Sequence, residues 1–221
     1  YEIGVRLVGS EMCIRDRFYP MRLILLLIVF LFFSCRGEKR YEDFNLTDYQ
    51  RQVNNYFKDA SVSPLKAKDL KNFKGLDFFE FDSSYVVYAK IQETPDSLPF
   101  KMKTTTDTPA DFRKYGSLIF NLNDEQYTLT AYENLDYLDV EEYENYLFLP
   151  FLDQTNGYET YGGGRYIDLY QYDNDSILID FNRAYNPQCV YDENFSCPIV
   201  PRENLLNFRV EAGVKNFISS Y

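Results

Sequence analysis

Two periodicities organise this chain of 221 residues. The first is helical. Tyr49, Val53, Tyr56 and Phe57 recur at i, i+4, i+7 and i+8, the spacing of one helix face. Thr47, followed three residues later by Gln50, makes a capping box at its start. Ser63-Pro64 closes that unit, and Leu65 to Leu70 adds a short second turn. From Leu76 onward the pattern becomes aromatic and β-branched runs bounded by turn residues, the mark of strands: 78–81, 85–91, 116–122, 127–132, 146–151 and 208–212. Asn123-Asp124 between two such runs predicts a hairpin. Tyr166–Tyr172 and Ile177–Arg183 predict another, looped at Asn174-Asp175. That pairing would set Asp168 diagonal to Arg183 on one face, with Arg165, Asp180 and Asn182 on the other. The fold expected is mainly β, an antiparallel β-sandwich or open barrel with one N-terminal helix, in a single domain over residues 46–221.

The N-terminal region reads differently. Residues 1–20 lack periodicity, and Leu7–Arg17 (LVGSEMCIRDR) resembles a translated sequencing-adapter fragment, so this stretch is set aside as non-native; a genuine extension is the alternative. Met21, Arg22 and the apolar run Leu23–Phe33 then form a signal-like segment. Eleven apolar residues are too few to span a bilayer, which takes about twenty. Ser34-Cys35 after that run resembles a lipobox. A signal peptide over 21–34, lipidation at Cys35 and a charged tether over 35–45 are therefore expected, with an uncleaved anchor as the alternative. Either way the domain sits at a bacterial envelope, outside the cytoplasm, with the periplasmic side expected.

Charge narrows the partners. The chain has 23 basic and 34 acidic side chains. Residues 1–34 carry four and three of these, so the remainder holds 19 against 31, a net of −12. Such a field repels nucleic acid, whose binding needs Lys and Arg against phosphates. Histidine is absent, which excludes every imidazole-dependent site. No metal or cofactor is expected. The 21 tyrosines and 19 phenylalanines suit half-buried sheet surfaces.

The densest chemistry lies between Asp153 and Leu206. Thr160–Tyr166 (TYGGGRY), Asp180–Cys189 (DFNRAYNPQC) and Cys197–Leu206 (CPIVPRENLL) together resemble the signature of the DUF1684 family, a family of unknown function. The resemblance therefore implies no reaction. The family's ending resembles A-G-E-K, where this chain has Ala212-Gly213-Val214-Lys215. Gly162–Gly164 lacks the G-K-[ST] of a P-loop and reads as a strand-end bulge or close approach. Cys189 and Cys197, in an exported chain, are expected to form a disulfide; two metal-ligating or reactive thiols are the alternatives. Asn186-Pro187, Cys197-Pro198 and Val200-Pro201 stiffen the path between these pieces. The candidate ligand-binding residues are Arg165, Asp180, Asn182, Arg183, Asn186, Glu203 and Asn204. A structural role in strand register is the competing reading for the arginines. Two functions fit: a binding module for a small polar or anionic ligand or an envelope partner, or a small-molecule hydrolase or transferase using Arg, Asp and Glu.

Overall fold

The computed structural model describes residues 47–172 and 175–219. They belong to the second of the chain's two compact units, Glu42–Tyr221. The expectations for residues 1–45, Cys35 and the tether included, lie outside the described residues, as does Asn174. No helix among the described residues is long and apolar enough to cross a membrane.

Helix α1 (Asp48–Lys58) starts at the expected capping box: Gln50 N–H donates to Thr47, and the Gln50 side chain accepts from Thr47 N–H. Its buried face differs from the apolar stripe. Gln50, Asn54 and Phe57 are buried, while Tyr56 is exposed. The physical reason is polar: Asn54 Oδ1 accepts from Leu76 N–H at 2.8 Å, fixing the loop to the helix. Phe57 packs with Leu65 and Tyr191. Helix α2 (Ala67–Asn72) is the short second turn.

Seven strands follow: β1 (Val86–Glu93), β2 (Phe100–Met102), β3 (Ala110–Leu122), β4 (Glu125–Asn134), β5 (Tyr146–Phe151), β6 (Arg165–Tyr170) and β7 (Ser176–Asp180). They form one antiparallel sheet in the order β6-β5-β4-β3-β1-β7, with β2 also paired to β3. The sheet curls as a half-barrel. The chain after β7 reaches β6 through a two-way backbone bridge between Tyr166 and Tyr185. The β3–β4 hairpin closes at Asn123-Asp124, both with positive φ (52° and 62°), the geometry a tight hairpin requires.

The expected β6–β7 hairpin does not form. β6 pairs with β5, and β7 pairs with β1 over Val86–Lys90. That pairing sets Ile177 and Ile179 beside Val87 and Ala89 in the core. Residues 208–212 are likewise not a strand. Their carbonyls serve a side chain instead. Phe78–Phe81 contributes only a single bridge, Phe78 to Val214.

The sheet buries side chains on both faces. Leu118, Leu129, Leu149 and Ile167 point to the main core. Phe112, Tyr132, Phe148 and Tyr166 form a second cluster on the opposite face. Alternation along β4 to β6 sends neighbouring residues to opposite sides. On β3 the switch needs a bulge. Phe112 stands opposite Asn134, and Leu118 opposite Leu129, so the register shift between Lys114 and Gly116 turns the first half of β3 outward. Gly116 permits it: a Cβ there would lie 2.7 Å from the Gln92 carbonyl oxygen on β1.

Arg165 ties the C-terminal segment to the core face. It is fully buried and donates to Asp153 Oδ2 (2.9 Å), to the Val210 carbonyl (2.8 Å) and to the Ala212 carbonyl. Asp153 Oδ1 accepts from Val210 N–H at 3.2 Å and Thr155 N–H at 2.8 Å. Burial lowers the Arg165 pKa, and Asp153 opposes that shift. Removing one partner of such a pair strands a buried charge. Arg165→Met is expected to cost about 3–5 kcal/mol, through the Asp153 carboxylate left uncompensated. Urea unfolding measures it, and a loss under about 1 kcal/mol would refute the clasp.

Candidate aromatic pocket

The candidate site lies on the second face of the sheet. Tyr146 and Phe148 of β5 and Tyr166, Asp168 and Tyr170 of β6 form its floor. They share that face because Leu147, Leu149, Ile167 and Leu169, the alternate residues, fill the core. Phe112 of β3 joins them because of the bulge. The walls come from the segments after β4, where Tyr137 and Tyr143 stack at 4.2 Å, and from the 185–198 segment with Tyr185, Pro187 and Cys197. The cavity measures about 560 Å³. Among the described residues, no lysine or arginine lines it.

Aromatic rings follow one another around the cavity. Tyr143 meets Tyr146 edge-on at 5.5 Å, Tyr146 meets Tyr170 at 5.7 Å, and Phe148 meets Tyr166 at 4.8 Å. Tyr166 then meets Tyr185 at 5.9 Å and 90°. The Tyr166 hydroxyl donates to the Pro198 carbonyl, which holds the Cys197-Pro198 wall in place.

Two carboxylates, Asp136 and Asp168, line the cavity, and Asp168 is the one that the ring hydroxyls hold. Asp168 is an exposed residue that solvent reaches through the cavity, yet protein atoms crowd around its carboxylate. Tyr146 and Tyr185 both donate to its Oδ1, at 2.9 and 2.6 Å. Oδ2 has no hydrogen-bond partner among the described residues. Burial raises the Asp168 pKa, while the tyrosine bonds and the nearby Arg183 act the other way. Burial also pushes the Tyr146 and Tyr185 hydroxyls far up, so they remain donors at any ordinary pH.

Most of the residues expected to bind ligand are engaged elsewhere. Arg165 faces the core, on the opposite side of β6 from Asp168. Asp180 caps the turn Phe181–Arg183 by accepting from Asn182 N–H and Nδ2. Asn182 fastens Asp82, with Oδ1 accepting from its N–H and Nδ2 donating to its carbonyl. Asn204 bridges strands where β4 and β5 part: it accepts from Thr130 N–H and donates to the Thr130 and Pro150 carbonyls. Glu203 pairs with Lys114 at 2.9 Å and accepts from the Tyr132 hydroxyl. Asn186 is buried, with Nδ2 on the Lys215 carbonyl at 3.0 Å and Oδ1 without a partner. Of the seven, Arg183 and Asn186 line a depression beside the aromatic cavity.

The glycines also serve the frame. Gly164 adopts φ +92°, and a Cβ there would meet the Phe151 carbonyl oxygen at 2.6 Å. Cys189 and Cys197 are free thiols rather than the expected disulfide. Cys189 N–H donates to Cys197 Sγ at 3.0 Å. Hydrogen bonding from Cys197 lowers the Cys189 pKa to about 7. Among the described residues, no group of three or more His, Cys, Asp or Glu could hold a metal ion.

Residues 71–215 match the DUF1684 model, described as a protein of unknown function. The chain belongs to that family. It is similar to the solution NMR structure of an uncharacterized protein from Haloarcula marismortui, with 31% identity and a TM-score of 0.60. That match covers 75% of this chain and 89% of the other. No curated protein matches.

Two outcomes test the site as described. Asp168 has a raised pKa in the folded chain, so its ionised form opposes folding above that pKa, and the penalty disappears as pH falls through it. Asp168→Asn keeps an acceptor for both tyrosines. Its urea midpoint at pH 7 is expected to equal or exceed the parent's, with the difference shrinking toward pH 4; a large loss at pH 7 would make the carboxylate a structural tie. For the thiols, alkylation is expected to label Cys189 faster than Cys197, with a half-maximal rate near pH 7. Cys197→Ser should move that midpoint upward, and two unreactive sulfurs would contradict the free pair.

Proposed function

We propose that this protein is an envelope-anchored binding module whose aromatic pocket takes a small ligand bearing an ammonium group. The observation that supports this most is Asp168: a carboxylate held by two ring hydroxyls with one oxygen open, in a cavity walled largely by tyrosine and phenylalanine, with Asp136 as a second carboxylate in its lining and, among the described residues, no cation. Ring faces are negative and attract cations, most strongly where water is excluded. A carboxylate among such rings adds a direct charge partner. The two tyrosine hydroxyls hold Asp168 in place before any ligand arrives, which reduces the ordering that binding requires. The broader expectation of a small polar ligand is kept, and its charge is reversed from anionic to cationic. The anchor rests on the sequence alone: the apolar run ending at Ser34-Cys35 suits lipidation of Cys35, on the extracytoplasmic side of a bacterial membrane. The alternative of a small-molecule enzyme using Arg, Asp and Glu is favoured less, since Arg165 and Glu203 are committed to Asp153 and Lys114.

The test is calorimetric titration of the full chain, in an uncharged maltoside detergent, with choline and with acetate. Choline is expected to bind and acetate not to. Asp168→Asn should weaken choline at least tenfold, about 1.4 kcal/mol. Equal binding of both probes, or choline binding indifferent to Asp168→Asn, would overturn the reading.

A further inference from the structure

Beside the aromatic cavity lies a second depression of about 440 Å³. The two share a wall: Asp168, Tyr185 and Gln188 line both. Across that wall sits Arg183. Its side chain is exposed, and its guanidinium lies over the Tyr49 ring at 4.7 Å. The Tyr49 hydroxyl donates to the Arg183 carbonyl at 3.0 Å, so α1 holds this residue both by ring and by hydroxyl. Arg183 takes part in no ion pair and no side-chain hydrogen bond among the described residues, in contrast to the buried Arg165. Asp168 feels its charge but is not bonded to it.

A guanidinium stacked on a ring keeps its planar fork of N–H donors free for a carboxylate or phosphate. We infer that the Arg183 depression is an anion subsite next to the Asp168 pocket, and that the ligand is a small soluble zwitterion: an ammonium among the rings and a carboxylate or phosphate on Arg183. This rests on the cation reading of the aromatic pocket and extends it. It also accounts for a free arginine and a free carboxylate oxygen standing close together without pairing. Arg183 opens toward the depression, and Asp168 lines both spaces.

The experiment compares choline, inorganic phosphate and phosphocholine by calorimetry on the full chain, with Arg183→Gln and Arg183→Lys alongside. Phosphocholine is expected to bind at least tenfold tighter than choline. Arg183→Gln should reduce that ratio to about one, and Arg183→Lys, which keeps the charge and loses the fork, should leave an intermediate ratio. Phosphocholine no tighter than choline in the parent, or an advantage that survives Arg183→Gln, would overturn the inference while leaving the cation pocket standing. Failure of both choline and phosphocholine to bind would remove the cation pocket as well.

Discussion

A buried guanidinium tolerates very few arrangements of the strand that carries it. Arg165 must place its charge against Asp153 and three carbonyls of the C-terminal segment, all on the core side of β6. Side chains on a strand alternate, so a slip of one residue would expel the charge from its partners and drive every neighbour to the wrong face. Fixing Arg165 inward therefore fixes Tyr166, Asp168 and Tyr170 outward. The clasp and the pocket are two sides of one register. The same bonds hold residues 210–214 against the sheet, which lets Ala184 and Asn186 pack on Val214 and Lys215 and sets the start of the pocket's 185–198 wall.

On the outward side the physics is a competition over one carboxylate. Burial disfavours the charge on Asp168, and two tyrosine hydroxyls and the nearby Arg183 favour it. Nothing among the described residues neutralises it outright. A carboxylate in a concave aromatic setting is therefore a group whose charge a ligand can complete. The strongly acidic surface adds a long-range preference for cations at low ionic strength.

The sequence made the frame readable and hid the site. Capping at Thr47, the Asn123-Asp124 turn and the strand runs from residue 116 to 151 are local signals, and the structure follows them. The β6–β7 hairpin was misleading because two good strand runs around a polar turn look alike whether they pair with each other or with distant strands. Pairing with β1 is decided by core packing, which no short window contains. Arg165, Asn182 and Asn204 drew attention as special residues, and they are special: each replaces backbone hydrogen bonds that the irregular path leaves open. Polar residues chosen for rarity thus marked the scaffold. The pocket was written in commoner residues. Tyr166, Asp168 and Tyr170 alternate with Ile167 and Leu169, a carboxylate flanked by aromatics on the non-core face. That signal was present, but its partners Tyr146 and Tyr185 come from elsewhere in the chain. Phe112 joins them only through the bulge, which the sequence around Gly116 does not announce.

On this reading a ligand's positive charge completes Asp168. Its most direct test follows the Asp168 side-chain carboxyl carbon by NMR through a pH titration of the full chain in maltoside detergent, with and without choline. Binding that favours the ionised form must lower the apparent pKa of that carboxyl by linkage, one unit for each tenfold difference in affinity between the two forms. In the free protein the Asp168 carboxyl is expected to titrate above the ordinary carboxylate range, and choline is expected to move that titration downward. A midpoint that choline leaves unmoved, or raises, would contradict that reading.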